Sequence, residues 1–272
     1  MSALDRRLDR PGAMIAFADG GGDGHPVLLL HGAGMDHTMF DAQAETLTAA
    51  GLRVLRADLR GHGESSLDEG ARFSADAALG DIAALLAERR IDRAVIVGHS
   101  LGGNLAQAYA AAQPDRVSGV IVMDASWNAG PLSSVERLAL RLAAPMLALV
   151  PSRRLPGMMA RASAVSASAI ARTEETFARM PKPVFLDVWR ATVSLVAPEP
   201  AYRSPVPLGL IRGAEDRTGN IAAAMPRWAD VEEIAEYVIP DAGHVVTWDA
   251  PDETSAALLG ILAEDRFVAA MR

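Results

Sequence analysis

Gly98-His99-Ser100-Leu101-Gly102 places a serine between glycines, and its setting gives that serine chemical meaning. Ala94-Val95-Ile96-Val97 before it reads as a buried strand, and Leu101 to Ala112 behind it reads as a helix that starts at once. A strand-to-helix elbow forces the serine into a tight, strained turn and exposes its hydroxyl at the carboxyl end of the sheet. The helix N-terminus then points at it, so charge developing on a bound carbonyl oxygen meets backbone N–H groups. Stripped of that setting, the same serine would be a cap for the helix that follows.

A hydroxyl is a weak nucleophile at its own pKa and needs a base, normally a histidine held by a carboxylate. His244, in Pro240-Asp241-Ala242-Gly243-His244, follows the last predicted strand and should reach the same carboxyl edge as Ser100. His25 precedes a strand and belongs at the other edge. For the carboxylate, Asp216 in Arg212-Gly213-Ala214-Glu215-Asp216 follows the strand Leu208 to Ile211 and completes the order Ser, Asp, His. Asp124, after the strand ending at Met123, reaches the same rim and is the competing acid; Glu215 and Asp241 are weaker rivals. The loop His31-Gly32-Ala33-Gly34 offers unobstructed N–H groups, so Ala33 and Leu101 are the predicted donors to an oxyanion. That loop reads equally as a plain glycine turn.

Positioning these groups requires a frame, and the pattern supplies one. Short apolar runs at Met14 to Ala18, Val27 to Leu30, Arg53 to Ala57, Ala94 to Val97, Gly119 to Met123, Leu208 to Ile211 and Tyr237 to Ile239 lack polar alternation. They read as strands covered on both faces. Helical patterns alternate with them at Met39 to Ala50, Ala75 to Arg89, Leu101 to Ala112, Ile221 to Ala229 and Asp252 to Leu262. The last opens on Asp249-Ala250-Pro251, a capping-type residue with proline in the first turn, and Gly51 should stop the first. The predicted class is α/β, a mostly parallel central sheet with helices on both faces.

The rhythm breaks between Asn128 and Arg203, where the chain is helical, rich in Ala and Met, and punctuated by prolines. This predicts a core of residues 1–127 and 204–272 with a helical cap inserted at 128–203. Within it, Leu138 to Val150 is the most apolar stretch. It is too short for the roughly 20 residues that span a bilayer, and it reads as a buried helix.

Composition narrows the function. Lys and Arg total 26 against 34 Asp and Glu, a formal charge of −8, which argues against nucleic acid as a partner and against anionic lipid headgroups. Cysteine is absent, excluding disulfides, thiol catalysis and cysteine-held metals. No secretory signal is visible at Met1-Ser2-Ala3-Leu4-Asp5-Arg6-Arg7, so the expected location is cytoplasmic, without membrane insertion. Gly32-Ala33-Gly34 starts a dinucleotide fingerprint, but its third glycine would fall at His37, and it fails. No clustered metal-ligand spacing occurs, so neither metal nor cofactor is expected.

Taken together, His31-Gly32, Asp58-Leu59-Arg60-Gly61-His62-Gly63-Glu64-Ser65, Gly98-His99-Ser100-Leu101-Gly102-Gly103 and Gly243-His244 give a chain that resembles the α/β-hydrolases throughout, apart from the cap. The resemblance implies hydrolysis of an ester, lactone, thioester or amide through an acyl-enzyme. Dehalogenases and epoxide hydrolases of this fold carry Asp at the elbow, which Ser100 argues against. A non-hydrolytic relative, such as a carbon–carbon hydrolase, hydroxynitrile-lyase-like enzyme, perhydrolase or small-molecule receptor, would keep the same triad. His62 and His99 match positions where packing is the expected role. Met146, Met158, Met159, Met180, Phe185 and Trp189 of the cap, with His31 and His99, are the candidates to line an apolar acyl pocket.

Overall fold

In the computed structural model, which describes residues 4–272, the apolar runs become neighbouring strands of one sheet. Among the described residues it contains β1 (Arg6–Arg10), β2 (Ala13–Asp19), β3 (Pro26–Leu30), β4 (Arg53–Ala57), β5 (Ser66–Leu67), β6 (Ala94–His99), β7 (Val117–Met123), β8 (Leu208–Gly213) and β9 (Glu236–Ile239). Their order is β1-β2-β4-β3-β6-β7-β8-β9, with the short β5 pairing β2. From β4 to β9 neighbouring strands are parallel, while β1, β2 and β5 add an antiparallel edge.

The absence of polar alternation has the expected cause. Leu28, Leu30, Ile96, Val120 and Leu210 face one apolar cluster, while Val27, Leu29, Val97, Ile121 and Ile211 face another. Successive side chains point to opposite faces of a strand, and here both faces are covered. The first cluster is closed by α2 (Ala75–Glu88), α3 (Leu101–Ala112) and α8 (Ile221–Glu232). On the other side stand α1 (Asp41–Ala49), the short α9 (Val246–Asp249), α10 (Pro251–Leu262) and α11 (Asp265–Ala270). As predicted, Gly51 follows the end of α1 with φ +84°. The sequence reading missed β1 because its residues, Arg6-Arg7-Leu8-Asp9-Arg10, lack an apolar face; charges of this kind suit an edge strand, where they discourage further pairing.

Between β7 and β8 lie α4 (Ser134–Leu149), α5 (Leu155–Ser163), α6 (Ala167–Ala178) and α7 (Lys182–Ser194). Helix α4 starts on a capping box: the Glu136 N–H donates to the Ser133 hydroxyl, and the Ser133 N–H donates to the Glu136 carboxylate. Pro145 stands inside α4 and does not break it, and Pro183 sits in the first turn of α7, where proline is well tolerated. One expectation fails here. Helix α4 is not buried; only Ala144 is, and a row of its large apolar residues faces outward. No helix of the described residues is long and apolar enough to cross a membrane.

The segment containing these helices leaves and rejoins the core at one place. Ala197 N–H donates to the Asn128 carbonyl and Glu199 N–H to that of Ala129, both at 2.8 Å. Below, Asn104 of α3 donates to the Ser126 carbonyl and to Asn128 Oδ1, and Gln107 accepts the Asn128 N–H. Trp127 stacks on Trp228 of α8 with centroids 5.9 Å apart. This hinge is therefore pinned by buried polar and aromatic contacts.

Candidate active site

At the end of β6 the backbone turns directly into α3, and Ser100 takes φ 49°, ψ −115°. A non-glycine residue held there costs about 1–3 kcal/mol, so the surroundings must impose it. Close packing does so: a Cβ added at Gly102 would lie 2.0 Å from the Leu30 carbonyl oxygen. The Ser100 N–H donates to the Met123 carbonyl at 2.9 Å, which locks the turn onto β7. As the first residue of α3, Leu101 has no acceptor within the helix for its N–H. Among the described residues neither its N–H nor that of Ala33 is engaged in a hydrogen bond.

His244 lies in the loop beyond β9, its Nδ1 3.0 Å from Asp216 Oδ2. Asp216 also accepts the Thr218 N–H at 2.8 Å. Burial alone would raise the Asp216 pKa, but the imidazole beside it, by charge and by hydrogen bond, brings it down to about 2. Asp216 is thus ionised at neutral pH and fixes the imidazole with Nε2 free for other work.

Asp124, the competing acid, stands in a different state. It is fully buried at φ +44°, its Oδ1 accepting the Gly213 N–H at 2.8 Å, while Oδ2 has no hydrogen-bond partner among the described residues. Burial, reinforced by the charge of Asp216, pushes its pKa well above the usual carboxylate range. Two carboxyl groups this close do not both ionise, and the one paired with histidine takes the charge. Asp124, Asp216 and His244 also offer ligand atoms all within 4.8 Å of one another, a spacing a metal could use. With Asp216 committed to His244 and Asp124 holding a proton, the charge state suits orientation of a histidine better than a cation. Of the weaker rivals, Glu215 and Asp241 accept no hydrogen bond from His244.

Ser100 and His244 open on one cavity of about 410 Å³ beneath the helices between β7 and β8. No hydrogen bond joins them in this structure. Of the pocket candidates, His99, Met159, Phe185 and Trp189 line the cavity, and so does Ala33. His31, Met146 and Met158 do not. His31 is buried beneath the loop, its Nε2 accepting the Leu59 N–H at 2.9 Å, so it links that loop to the Asp58 motif. Met146 and Met158 point outward from α4 and α5, and Met180 borders a separate, shallower recess.

His99 also has a second task. Its Nε2 donates to the His244 carbonyl at 2.6 Å, and the two rings lie 4.8 Å apart. Burial, with the imidazole of His244 alongside, lowers the His99 pKa to about 3, so the ring stays neutral and acts as a strut. Asp58 accepts the N–H groups of His37 and Glu64 and pairs with His37 Nδ1 at 3.0 Å, tying its motif to the segment after Ala33.

Asp249 was read as a cap for α10, and the structure gives it other work. Its carboxylate accepts from Gly243 N–H at 2.9 Å and from the N–H groups of Val165 and Ser166 at 3.0 and 2.8 Å. No side chain caps α10. A second tie runs alongside, from Val245 N–H to the Ser163 carbonyl at 2.9 Å. The loop bearing His244 is thus fastened to the junction of α5 and α6.

The chain belongs to the alpha/beta hydrolase family, whose pattern matches residues 27–257. It is 35% identical over 109 residues to sn-1-specific diacylglycerol lipase ABHD11 of Danio rerio, a match covering 40% of this chain and 34% of that protein. The curated relatives are thus matched over about a third of their length. A thermophilic esterase from Thermogutta terrifontis superposes with a TM-score of 0.72 at 27% identity, over 94% of this chain and 98% of that one. The enol-lactonase from Burkholderia xenovorans shares the fold at a TM-score of 0.77 and 21% identity, over 95% and 100% of the two chains.

Proposed function

We propose that the protein is a serine hydrolase that cleaves an ester, lactone, thioester or amide bond of a small, largely apolar substrate through an acyl-enzyme. The observation that carries this reading is Ser100, held at φ 49° on the elbow, sharing an apolar cavity with a His244 whose Nδ1 is bound to an ionised Asp216. In the proposed cycle His244 Nε2 takes the Ser100 proton as the hydroxyl oxygen bonds to the acyl carbon. The N–H groups of Ala33 and Leu101 hold the oxyanion. Collapse breaks the bond to the leaving group, which receives that proton from His244. Water, deprotonated by the same imidazole, then attacks the acyl-enzyme and returns Ser100.

The preference for apolar acyl groups rests on Met159, Phe185 and Trp189 in the wall. The segment 128–203 serves in this reading as the cap that shapes the acyl pocket. A cytoplasmic setting is part of the proposal and rests on composition.

Fluorophosphonate labelling of the intact protein tests the nucleophile. Wild type should take up label and Ser100→Ala should not; labelling of both, or of neither, overturns the assignment. Labelling without turnover of p-nitrophenyl esters from acetate to octanoate, or of lactone, thioester and anilide probes, would assign the triad to a non-hydrolytic reaction.

A further inference from the structure

We infer that the outer face of α4 docks on an anionic lipid surface. Among the described residues, the large apolar side chains left exposed are Val135, Leu138, Leu142, Met146, Leu149, Met158, Val165 and Val238. All but Val238 fall between residues 135 and 165. Five of them, Val135, Leu138, Leu142, Met146 and Leu149, recur on α4 at spacings of three and four and form one stripe, each residue 47% to 77% exposed. The rest of α4 is engaged: Leu140 and Ala143 on the opposite side line the cavity, Val135 at the N-terminal end of the stripe also borders it, and Glu136 accepts a hydrogen bond from Asn220.

The charge around the stripe identifies its partner. The chain as a whole carries −8, yet the charged residues from 135 to 165 are Arg137, Arg141, Arg153, Arg154 and Arg161 against Glu136. Among the described residues these five arginines are exposed and form no ion pair. Elsewhere arginines are of both kinds: Arg10, Arg53, Arg60, Arg89 and Arg212 are paired with carboxylates, while Arg90, Arg93 and Arg227 are exposed without an ion pair among the described residues. What sets the segment from 135 to 165 apart is five such arginines against one glutamate beside an apolar stripe. An apolar stripe bordered by unpaired cations is the form of a helix that lies in a headgroup layer, with its apolar side against acyl chains. A second copy of the chain suits it poorly, because facing stripes would bring two sets of unpaired arginines together. Docking of α4 is independent of the reaction at Ser100, although a docked α4 would place the cavity next to lipid-dissolved molecules.

Co-sedimentation with vesicles tests it, using phosphatidylcholine alone and phosphatidylcholine mixed with phosphatidylglycerol. The protein should bind the mixed vesicles in preference, and high salt should weaken that binding. Arg137→Gln/Arg141→Gln should bind roughly thirtyfold more weakly, near fivefold for each arginine. Leu138→Asp/Leu142→Asp should lose binding while keeping the wild-type circular dichroism melt, since neither leucine lines the cavity. Absence of binding to mixed vesicles, or unchanged binding by the leucine variant, overturns the inference. So does a dimer in lipid-free solution that the leucine variant dissociates, which would make the stripe a contact between copies.

Discussion

Asp249 holds the N–H of Gly243, the residue before His244, at 2.9 Å, and with its remaining acceptor capacity holds the start of α6. The proposed base and the roof of the cavity therefore share one anchor. Asp249→Ala should lower stability by about 1–2 kcal/mol, because the exposed Val165 N–H and the partly buried N–H groups of Gly243 and Ser166 lose a charged acceptor. Turnover of p-nitrophenyl butyrate should fall through kcat more than through KM, as His244 loses orientation. An unchanged kcat with a lowered melting temperature would make Asp249 purely structural.

The two aspartates beside His244 should respond differently to the same substitution. Asp216→Asn removes the charge that orients the imidazole and should reduce kcat by about 10⁴. Asp124 already holds a proton, so Asn replaces it with little change of shape or charge, and kcat should fall less than about tenfold. Steady-state kinetics on one ester decides between them, and the reverse ranking would exchange their roles.

Asp124 also gives the stability curve a recognisable slope. Its folded pKa is raised above the ordinary value of about 3.9, so the folded state retains a proton that the unfolded chain has lost. Its stabilising contribution is full below pH 4 and is lost as pH rises toward the folded pKa, at about 1.4 kcal/mol per unit. Asp124→Asn should match wild type near pH 4 and melt higher at pH 8, by a margin that grows with pH. Thermal melts at these two values check it.

At the acid end the neutral histidines dominate. His62 and His99 have folded pKa values lowered to about 3, chiefly by burial. Unfolding lets them take up protons, so the stability they confer is complete above pH 6.5 and disappears as pH falls toward 3. Asp216, lowered to about 2, adds stability that is full above about pH 3.9 and fades below it. A steep loss of melting temperature below pH 6 should result, and His62→Phe should make it shallower.

Ser100→Gly should abolish labelling and turnover while raising stability by about 1 kcal/mol, since glycine adopts φ 49° without strain. Denaturant unfolding provides the measurement. A destabilised variant would mean that the Ser100 side chain supports the elbow by more than its backbone strain costs.

Much of this was legible in the chain because parallel strands covered on both faces leave long apolar runs, as at Val27 to Leu30 and Ala94 to Val97. Ser100 and His244 could be nominated because each follows such a run. What escaped depends on distance in space rather than order in sequence. Asp249 resembles any residue placed before a helix, and nothing near it reveals that Val165 and Ser166 fold back upon it. His31 and Met146 failed as pocket residues because local sequence does not say which way a side chain points. The leucine-rich α4 misled for a related reason: an apolar helix can be hidden or can be waiting for a partner, and composition alone does not distinguish these.

The hydrogen bonds from Ala197 to Asn128 and from Glu199 to Ala129 bring the two ends of the helical segment side by side. A stretch of chain that departs and returns through one doorway can be exchanged for another with similarly close ends while Ser100 keeps its elbow. On the proposed reading, such an exchange would replace the pocket wall that Met159, Phe185 and Trp189 supply and leave the strand order beneath it untouched.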